Sequence, residues 1–299
     1  MLFGRNNGFY ILKESWDNLI ILDACRYDVF EEEFKERSMK GKLEYRISRG
    51  AHTTTFLLEN FNNGKFDDIV YITANPFVDK LLKGKFYKII SVWKYGWDPK
   101  YQTVLPKTMY EYTLYALERY PNKRLIIHFI QPHYPYIGFP FTDGSFERLR
   151  NSALNNTSFK VSRKYKDTMF SIYAMDIYAM IDKDILLKAY KRNLEIALPY
   201  VEKLIEILPG RTVVTADHGE AFGEIIHPLI PIRVYGHPWK IKIPVLIKVP
   251  WLIIEPEEKE PSEDLKKELI AVRREFAERR KEKAKLKQAI KNLKLKRRI

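Results

Sequence analysis

One cysteine, Cys25, stands alone among 299 residues. That excludes an intramolecular disulfide framework and a cysteine-rich zinc site. No apolar run approaches the roughly 20 residues that a helix needs to cross a bilayer. The opening stretch, Met1 to Trp16, mixes polar, charged and glycine residues without the apolar centre of a secretory leader, so a cytoplasmic location is the default expectation. There is no internal repeat and no recognisable DNA- or RNA-binding module. The aromatic residues fall in strand-like segments rather than among the basic ones, which disfavours nucleic acid as a partner.

What is present suffices for one large core. Hydrophobic residues make up 45% of the chain, with 19 Tyr, 17 Phe and 5 Trp, a composition that excludes disorder over most of the length. The net charge of +14 is unevenly spread, because residues 271–299 carry 13 basic and 3 acidic side chains. Such a run is attracted to anionic surfaces, including the inner face of a membrane.

Short apolar runs rich in Ile and Val read as strands covered on both faces. They are Asn18–Leu22, Leu43–Ile47, Asp68–Thr73, Phe86–Val92, Leu125–Ile130, Thr212–Ala216 and Pro244–Val249. Helical spacing covers Tyr27–Arg37, Thr55–Phe61, Pro76–Lys83, Lys107–Tyr120 and Asp184–Leu208. Strands alternating with helices predict an α/β domain with a mostly parallel central sheet over residues 1–254. Residues 138–182, weak in strand signals, read as an insertion or lid. Prolines and a run of Glu end the globular part. In the remaining 255–299, Leu265, Leu269, Val272 and Phe276, then Leu286, Ile290 and Leu293, recur at alternating four- and three-residue spacings. Arg279 and Lys283 occupy the two intervening positions. The pattern predicts a basic helical tail. It fits either an interrupted coiled-coil seam for a partner or one stripe packed on the chain's own domain.

In an open parallel sheet, ligands bind just past the carboxyl ends of the strands, where the loops converge on one rim. Asn18–Leu22 runs into Asp23, Thr212–Ala216 into Asp217 and His218, and Leu125–Ile130 into Gln131, Pro132 and His133. Ser48–Thr55 follows Leu43–Ile47 in the same way. Asp23 alone fits an ordinary helix cap. Asp217-His218-Gly219-Glu220 says more, since two adjacent metal-capable side chains before a glycine suit a bend that turns both toward one ion.

Together these blocks resemble the alkaline phosphatase and sulfatase superfamily. Ile21-Leu22-Asp23-Ala24-Cys25-Arg26-Tyr27-Asp28 is similar to its opening motif, and Thr215-Ala216-Asp217-His218-Gly219-Glu220 to its later metal motif. Gln131-Pro132-His133-Tyr134-Pro135-Tyr136 resembles its central Pro-His-x-Pro-Tyr segment, and Gly236-His237-Pro238 its closing segment. The blocks occur in family order. The resemblance implies a three-layer alkaline-phosphatase-like fold and a phosphoester, less readily sulfate ester, hydrolase or transferase. Asp23, Asp217, His218 and the nucleophile would bind a divalent cation (Mn, Zn, Mg or Ca).

True sulfatases carry a Cys-x-Pro-x-Arg signature, and Cys25 lacks it, reading instead as a buried small residue. The nucleophile is then expected from Ser48–Thr55, with Thr53 chosen and Thr54 as rival. A cation lowers the pKa of a coordinated hydroxyl and offsets charge on the transferred group. His133 and His237 are expected to contact substrate or leaving group. Arg26, Arg49 and His52 are candidates for binding an anionic ester, lipid- or glycan-linked. Relatives often hold a second cation with one Asp and two His, but Tyr190–Glu202 offers only Glu195 and Glu202, so one cation is expected. Two further readings compete: a non-catalytic sulfatase-like scaffold, and a nucleic-acid-binding protein that uses the tail.

Overall fold

The computed structural model describes residues 8–141, 144–155, 171–173, 177–239, 241–256, 262–264, 266–278 and 281. Along the chain, β1 (Asn18–Leu22) leads to α1 (Tyr27–Glu36), β2 (Lys42–Ile47), α2 (Thr53–Phe61), β3 (Phe66–Thr73), α3 (Pro76–Leu82), β4 (Phe86–Ser91) and α4 (Val92–Tyr95). A small ribbon, β5 (Trp97–Asp98) and β6 (Thr103–Val104), precedes α5 (Pro106–Arg119) and β7 (Arg124–Phe129). Next come α6 (Ser145–Leu154), β8 (Ser171–Tyr173), α7 (Ile177–Met180), the long α8 (Lys183–Ile207) and β9 (Thr212–Ala216). The hairpin β10 (Ala221–His227) and β11 (Ile230–Gly236) is followed by α9 (Pro244–Ile247) and β12 (Lys248–Ile254).

Seven strands form the central sheet in the order β2-β12-β9-β1-β7-β3-β4. β1 is parallel to both β7 and β9, whereas β12 runs antiparallel to β2 and β9. Successive side chains of a strand point to opposite faces, and two cores follow. Ile20, Leu22, Val70, Ile72, Ile127 and Val214 pack against α1, α5 and α8. Leu19, Ile21, Ile69, Tyr71, Ile126 and Val213 pack against α2 and α3. The result is a three-layer α/β arrangement.

All five residues of β1 are buried. Its four apolar side chains together stabilise the sheet by on the order of 6–12 kcal/mol before chain entropy is subtracted. The carboxyl end of this strand is therefore held firmly, and Asp23 begins there.

Among the boundaries that move, those of Pro244–Val249 and α2 bear on the site. Pro244–Val249 is not a strand: Pro244 sits at the first position of the α9 turn, and β12 starts only at Lys248. A proline's fixed φ and missing N–H suit a helix start and not a ladder. α2 begins at Thr53 rather than Thr55, because the ring of His52 accepts a hydrogen bond from the Thr54 amide and caps the helix. That two-residue extension brings Thr53 into the first turn.

Within the tail, residues 266–278 are helical and pack on the chain's own domain. Leu269, Val272 and Phe276 join the core beside α5 and α8. Phe276 meets the rings of Tyr112 and Tyr115 at 5.0 Å each, and Glu268 accepts from Tyr110 and Lys203. Leu265, Arg279, Lys283, Leu286, Ile290 and Leu293 lie outside the described residues. Among the described residues, no helix is long and apolar enough to cross a membrane.

Candidate active site

Four parallel strands present their carboxyl ends at one rim: β1 to Asp23, β3 to Asn75, β7 to His133 and β9 to Asp217. The parallel register of β1 with β9 aligns Leu22 with Ala216, so Asp23 and Asp217 leave adjacent strands at the same level. Their carboxylates meet at the ring of His218. Its Nε2 lies 3.7 Å from Asp23 Oδ1 and 3.4 Å from Asp217 Oδ2. Thr53 Oγ1, from the first turn of α2, lies 3.2 Å from the same nitrogen. All four residues are buried.

Each carboxylate has one oxygen tied down and one bare. Asp23 Oδ2 accepts from Asn75 Nδ2 at 2.7 Å. Asp217 Oδ1 accepts from the Ala24 and His218 amides at 3.0 and 2.9 Å. The other two oxygens, Asp23 Oδ1 and Asp217 Oδ2, are buried without a hydrogen-bond partner. Buried polar atoms are normally satisfied, and these two face the His218 nitrogen. His218 Nδ1 lies 2.8 Å from the Gly219 carbonyl, so Nδ1 donates there and Nε2 is the nitrogen left to offer its lone pair to a cation, whose charge would offset the carboxylates around it. Two bare carboxylate oxygens, an imidazole lone pair and a hydroxyl fit a divalent cation. Asp23, Asp217 and His218 meet the spacing such an ion needs.

The backbone is bent to achieve this. Ala24 adopts a left-handed conformation (φ 60°), which costs on the order of 1–2 kcal/mol for a residue with a Cβ. Tyr190 of α8 holds the bend, its hydroxyl donating to the Ala24 carbonyl and accepting from the Arg26 amide, both at 2.8 Å. At Gly219 a Cβ would come within 1.9 Å of the Val245 carbonyl oxygen. No other residue fits the turn that follows His218.

A second cluster adjoins the first. His133, Glu220 and His237 place ligand atoms within 4.8 Å of one another, and the His237 ring lies 4.5 Å from that of His218. The β10–β11 hairpin pairs Ala221 with Gly236, which sets Glu220 beside His237, with His237 Nδ1 at 3.0 Å from its carboxylate. His133 Nδ1 is bonded to the Tyr134 carbonyl, leaving its Nε2 free for a ligand. The expectation of one cation rested on finding no third ligand near Tyr190–Glu202. Glu220, from within a motif already singled out, is a carboxylate of ligand type lying beside the two histidines. Glu195 and Glu202 instead pair with Arg192 and Arg37.

Electrostatics set these groups apart. Burial disfavours the Asp23 carboxylate, but His128, His133 and His218 outweigh it and hold its pKa well below the usual range. Burial and the neighbouring Asp23 charge raise Asp217. His218 is raised by the two carboxylates against the effect of burial. Burial pushes Glu220 up to about 7, with His133 and His218 opposing. His52 and His237 are pushed down by burial and by the neighbouring histidines.

The remaining expectations divide. His52 is in the site, its ring 5.0 Å from that of His237 and stacked 6.0 Å from His218. Its Nδ1 lies 3.1 Å from Thr54 Oγ1, so Thr54 is engaged with the cap while Thr53 faces the cluster. Arg26 does not form an open clamp: its guanidinium is bound by Asp28 and Glu224, each at 2.6 Å. Arg49 bonds the Gly8 carbonyl and Glu59 and lies over the Tyr10 ring. In the structure both guanidinium groups thus pair with carboxylates, Arg26 with two and Arg49 with one. Sequence reasoning did not single out Asn75, Tyr71 or His128. Only Asn75 had a signal, an Asn-Pro pair that starts a helix past a strand end.

No protein-family model and no curated protein sequence matches this chain. Among solved structures, it is similar to the soluble domain of lipooligosaccharide phosphoethanolamine transferase A from Neisseria meningitidis. That match has a TM-score of 0.47 and 14% identity, covering 79% of this chain and 75% of that one. The integral membrane protein of the same name and organism matches with a TM-score of 0.45 and 14% identity over 84% of this chain, which spans about half (49%) of its length. The C-terminal periplasmic domain of EcEptC from Escherichia coli, in complex with Zn, matches with a TM-score of 0.47 and 12% identity, covering 85% and 76%.

Proposed function

We propose that this chain is a metal-dependent phosphoester hydrolase or phosphotransferase of the alkaline phosphatase and sulfatase superfamily, with Thr53 as nucleophile. One observation carries the reading: the bare oxygens of Asp23 and Asp217, His218 Nε2 and the Thr53 hydroxyl converge at one buried point at the carboxyl edge of the sheet. A divalent cation held there would supply Lewis-acid charge and make the hydroxyl more acidic.

Thr53 is positioned by its place in the first turn of α2 and by His218. Its oxygen attacks phosphorus and forms an Oγ–P bond as the bond to the leaving alcohol breaks; the alcohol takes up a proton. Water or an acceptor alcohol then displaces Thr53 and regenerates the hydroxyl. The positive end of the α2 dipole adds to the stabilisation of an anionic group at Thr53. His52, His133 and His237 stack around His218 and would contact the ester. Phe146 of α6 packs 5.4 Å from the His133 ring, which supports α6 as a wall of the site.

The second cluster supports a second cation on His133, Glu220 and His237. The basic tail supports an anionic, lipid- or glycan-linked substrate met at a membrane surface from the cytoplasmic side. The test of the main reading is turnover of a generic phosphodiester and a phosphomonoester with Mn²⁺, Zn²⁺ or Mg²⁺. Activity that chelation abolishes and Thr53→Ala eliminates supports it. Equal activity in Thr53→Ala removes it.

A further inference from the structure

Beneath the two carboxylates lies a buried histidine with no place in the chemistry described so far. His128 is the fifth residue of β7 and is wholly buried, as is Tyr71 on the neighbouring β3. The Tyr71 hydroxyl lies 3.0 Å from His128 Nδ1. On the other side of the ring, Nε2 lies 3.6 Å from Asp23 Oδ2 and 4.0 Å from Asp217 Oδ2, and it has no hydrogen-bond partner. Those separations are too long for hydrogen bonds and short enough for strong electrostatic coupling.

Two tautomers of the ring are available. If Nδ1 carried the proton, the Nε2 lone pair would face two carboxylate oxygens in a dry interior, which is repulsive. If Nε2 carries it, the N–H dipole points between the oxygens and offsets their mutual repulsion. The second arrangement needs a donor at Nδ1, and Tyr71 is one. Burial, with the Asp217 and Asp23 charges, holds the Tyr71 phenol well above its usual pKa, so it keeps its proton to donate.

We propose that Tyr71 and His128 form a positioning pair, in which the Tyr71 hydroxyl locks His128 as the Nε2–H tautomer and so sets the spacing of Asp23 and Asp217 for their cation. Asn75 completes the arrangement: its Oδ1 accepts from the Phe77 amide at 2.9 Å and so turns its Nδ2 toward Asp23. The inference rests on the proposed cation site. Groups that orient metal ligands through a second layer of contacts typically change metal affinity by about 10–100-fold when removed.

The experiment has two arms. In the cation-free protein, ¹⁵N chemical shifts of the His128 ring report the tautomer directly. An Nε2–H ring supports the pair, and an Nδ1–H ring overturns it whether or not a cation binds. In the second arm, Mn²⁺ affinity and the Co²⁺ absorption spectrum are measured for wild type, Tyr71→Phe, His128→Gln and the double variant. Gln retains an N–H donor without a tautomer to lock. Tyr71→Phe is expected to weaken Mn²⁺ binding by about 10-fold in wild type and by less than about twofold in the His128→Gln background. Equal losses in both backgrounds, or an unchanged Co²⁺ spectrum in Tyr71→Phe, reduce the pair to core packing. A wild-type protein that binds neither ion sinks the cation reading itself, a result separate from the tautomer.

Discussion

Thr53 Oγ1 lies 3.2 Å from His218 Nε2 across 165 residues of sequence, while its neighbour Thr54 turns the other way to bond the His52 ring. The first turn of α2 thus gives two adjacent threonines different partners. Thr53→Ala is expected to abolish turnover and leave the melting midpoint near wild type, whereas Thr54→Ala keeps most of the activity and, since the backbone amide that His52 caps is retained, lowers stability by only about 1 kcal/mol through the lost side-chain hydrogen bond. Intact-mass detection of a phosphorylated protein, present in wild type and missing in Thr53→Ala, checks the assignment. A phosphorylated Thr53→Ala protein would move the nucleophile elsewhere.

Asp217→Asn preserves shape and removes the charge of a buried oxygen aimed at His218. Activity is expected to fall by about 10³-fold, the order that several kcal/mol of lost charge stabilisation implies. Cation affinity should fall with it, as isothermal titration would report. Retained affinity together with retained rate is the result that contradicts the ligand set.

Elemental analysis should find two cations per chain in wild type and one in Glu220→Gln or His237→Ala. One cation in all three proteins would mean that His133, Glu220 and His237 serve the substrate instead.

The raised pKa of Glu220 makes a pH prediction for the cation-free protein. Its pKa is 4.5 in the unfolded chain and about 7 in the fold, so between these values the fold holds a proton that the unfolded chain has released. The associated stability is present in full below pH 4.5 and is lost as pH rises through 7, by on the order of 3 kcal/mol. Denaturant midpoints of wild type minus those of Glu220→Gln should therefore fall across this window. A flat difference would show that the buried carboxylate ionises normally.

The tail helix 266–278 is predicted to be part of the folded domain. Phe276→Ala removes a ring in contact with Tyr112 and Tyr115 and is expected to cost about 2 kcal/mol, seen as a lowered melting midpoint. Deleting 279–299 should leave that midpoint unchanged and abolish flotation with anionic vesicles. If flotation persists, the basic residues are not the anchor.

Local pattern sufficed for much of this protein. Continuous Ile/Val runs and helical spacing depend on near neighbours, so β1 and β9 were legible to the residue, and with them the positions of Asp23, Asp217 and His218 at strand ends. The tertiary structure alone set Thr53 beside His218 and Thr54 on the His52 ring, because that division turns on which hydroxyl His52 engages. It also brought Glu220 to His237 through the register of a hairpin, consumed Arg26 in Asp28 and Glu224, and set Tyr71 and His128 beneath the carboxylates. Those outcomes depend on which distant groups compete for the same hydrogen bond or charge, and that competition exists only once the strands have paired.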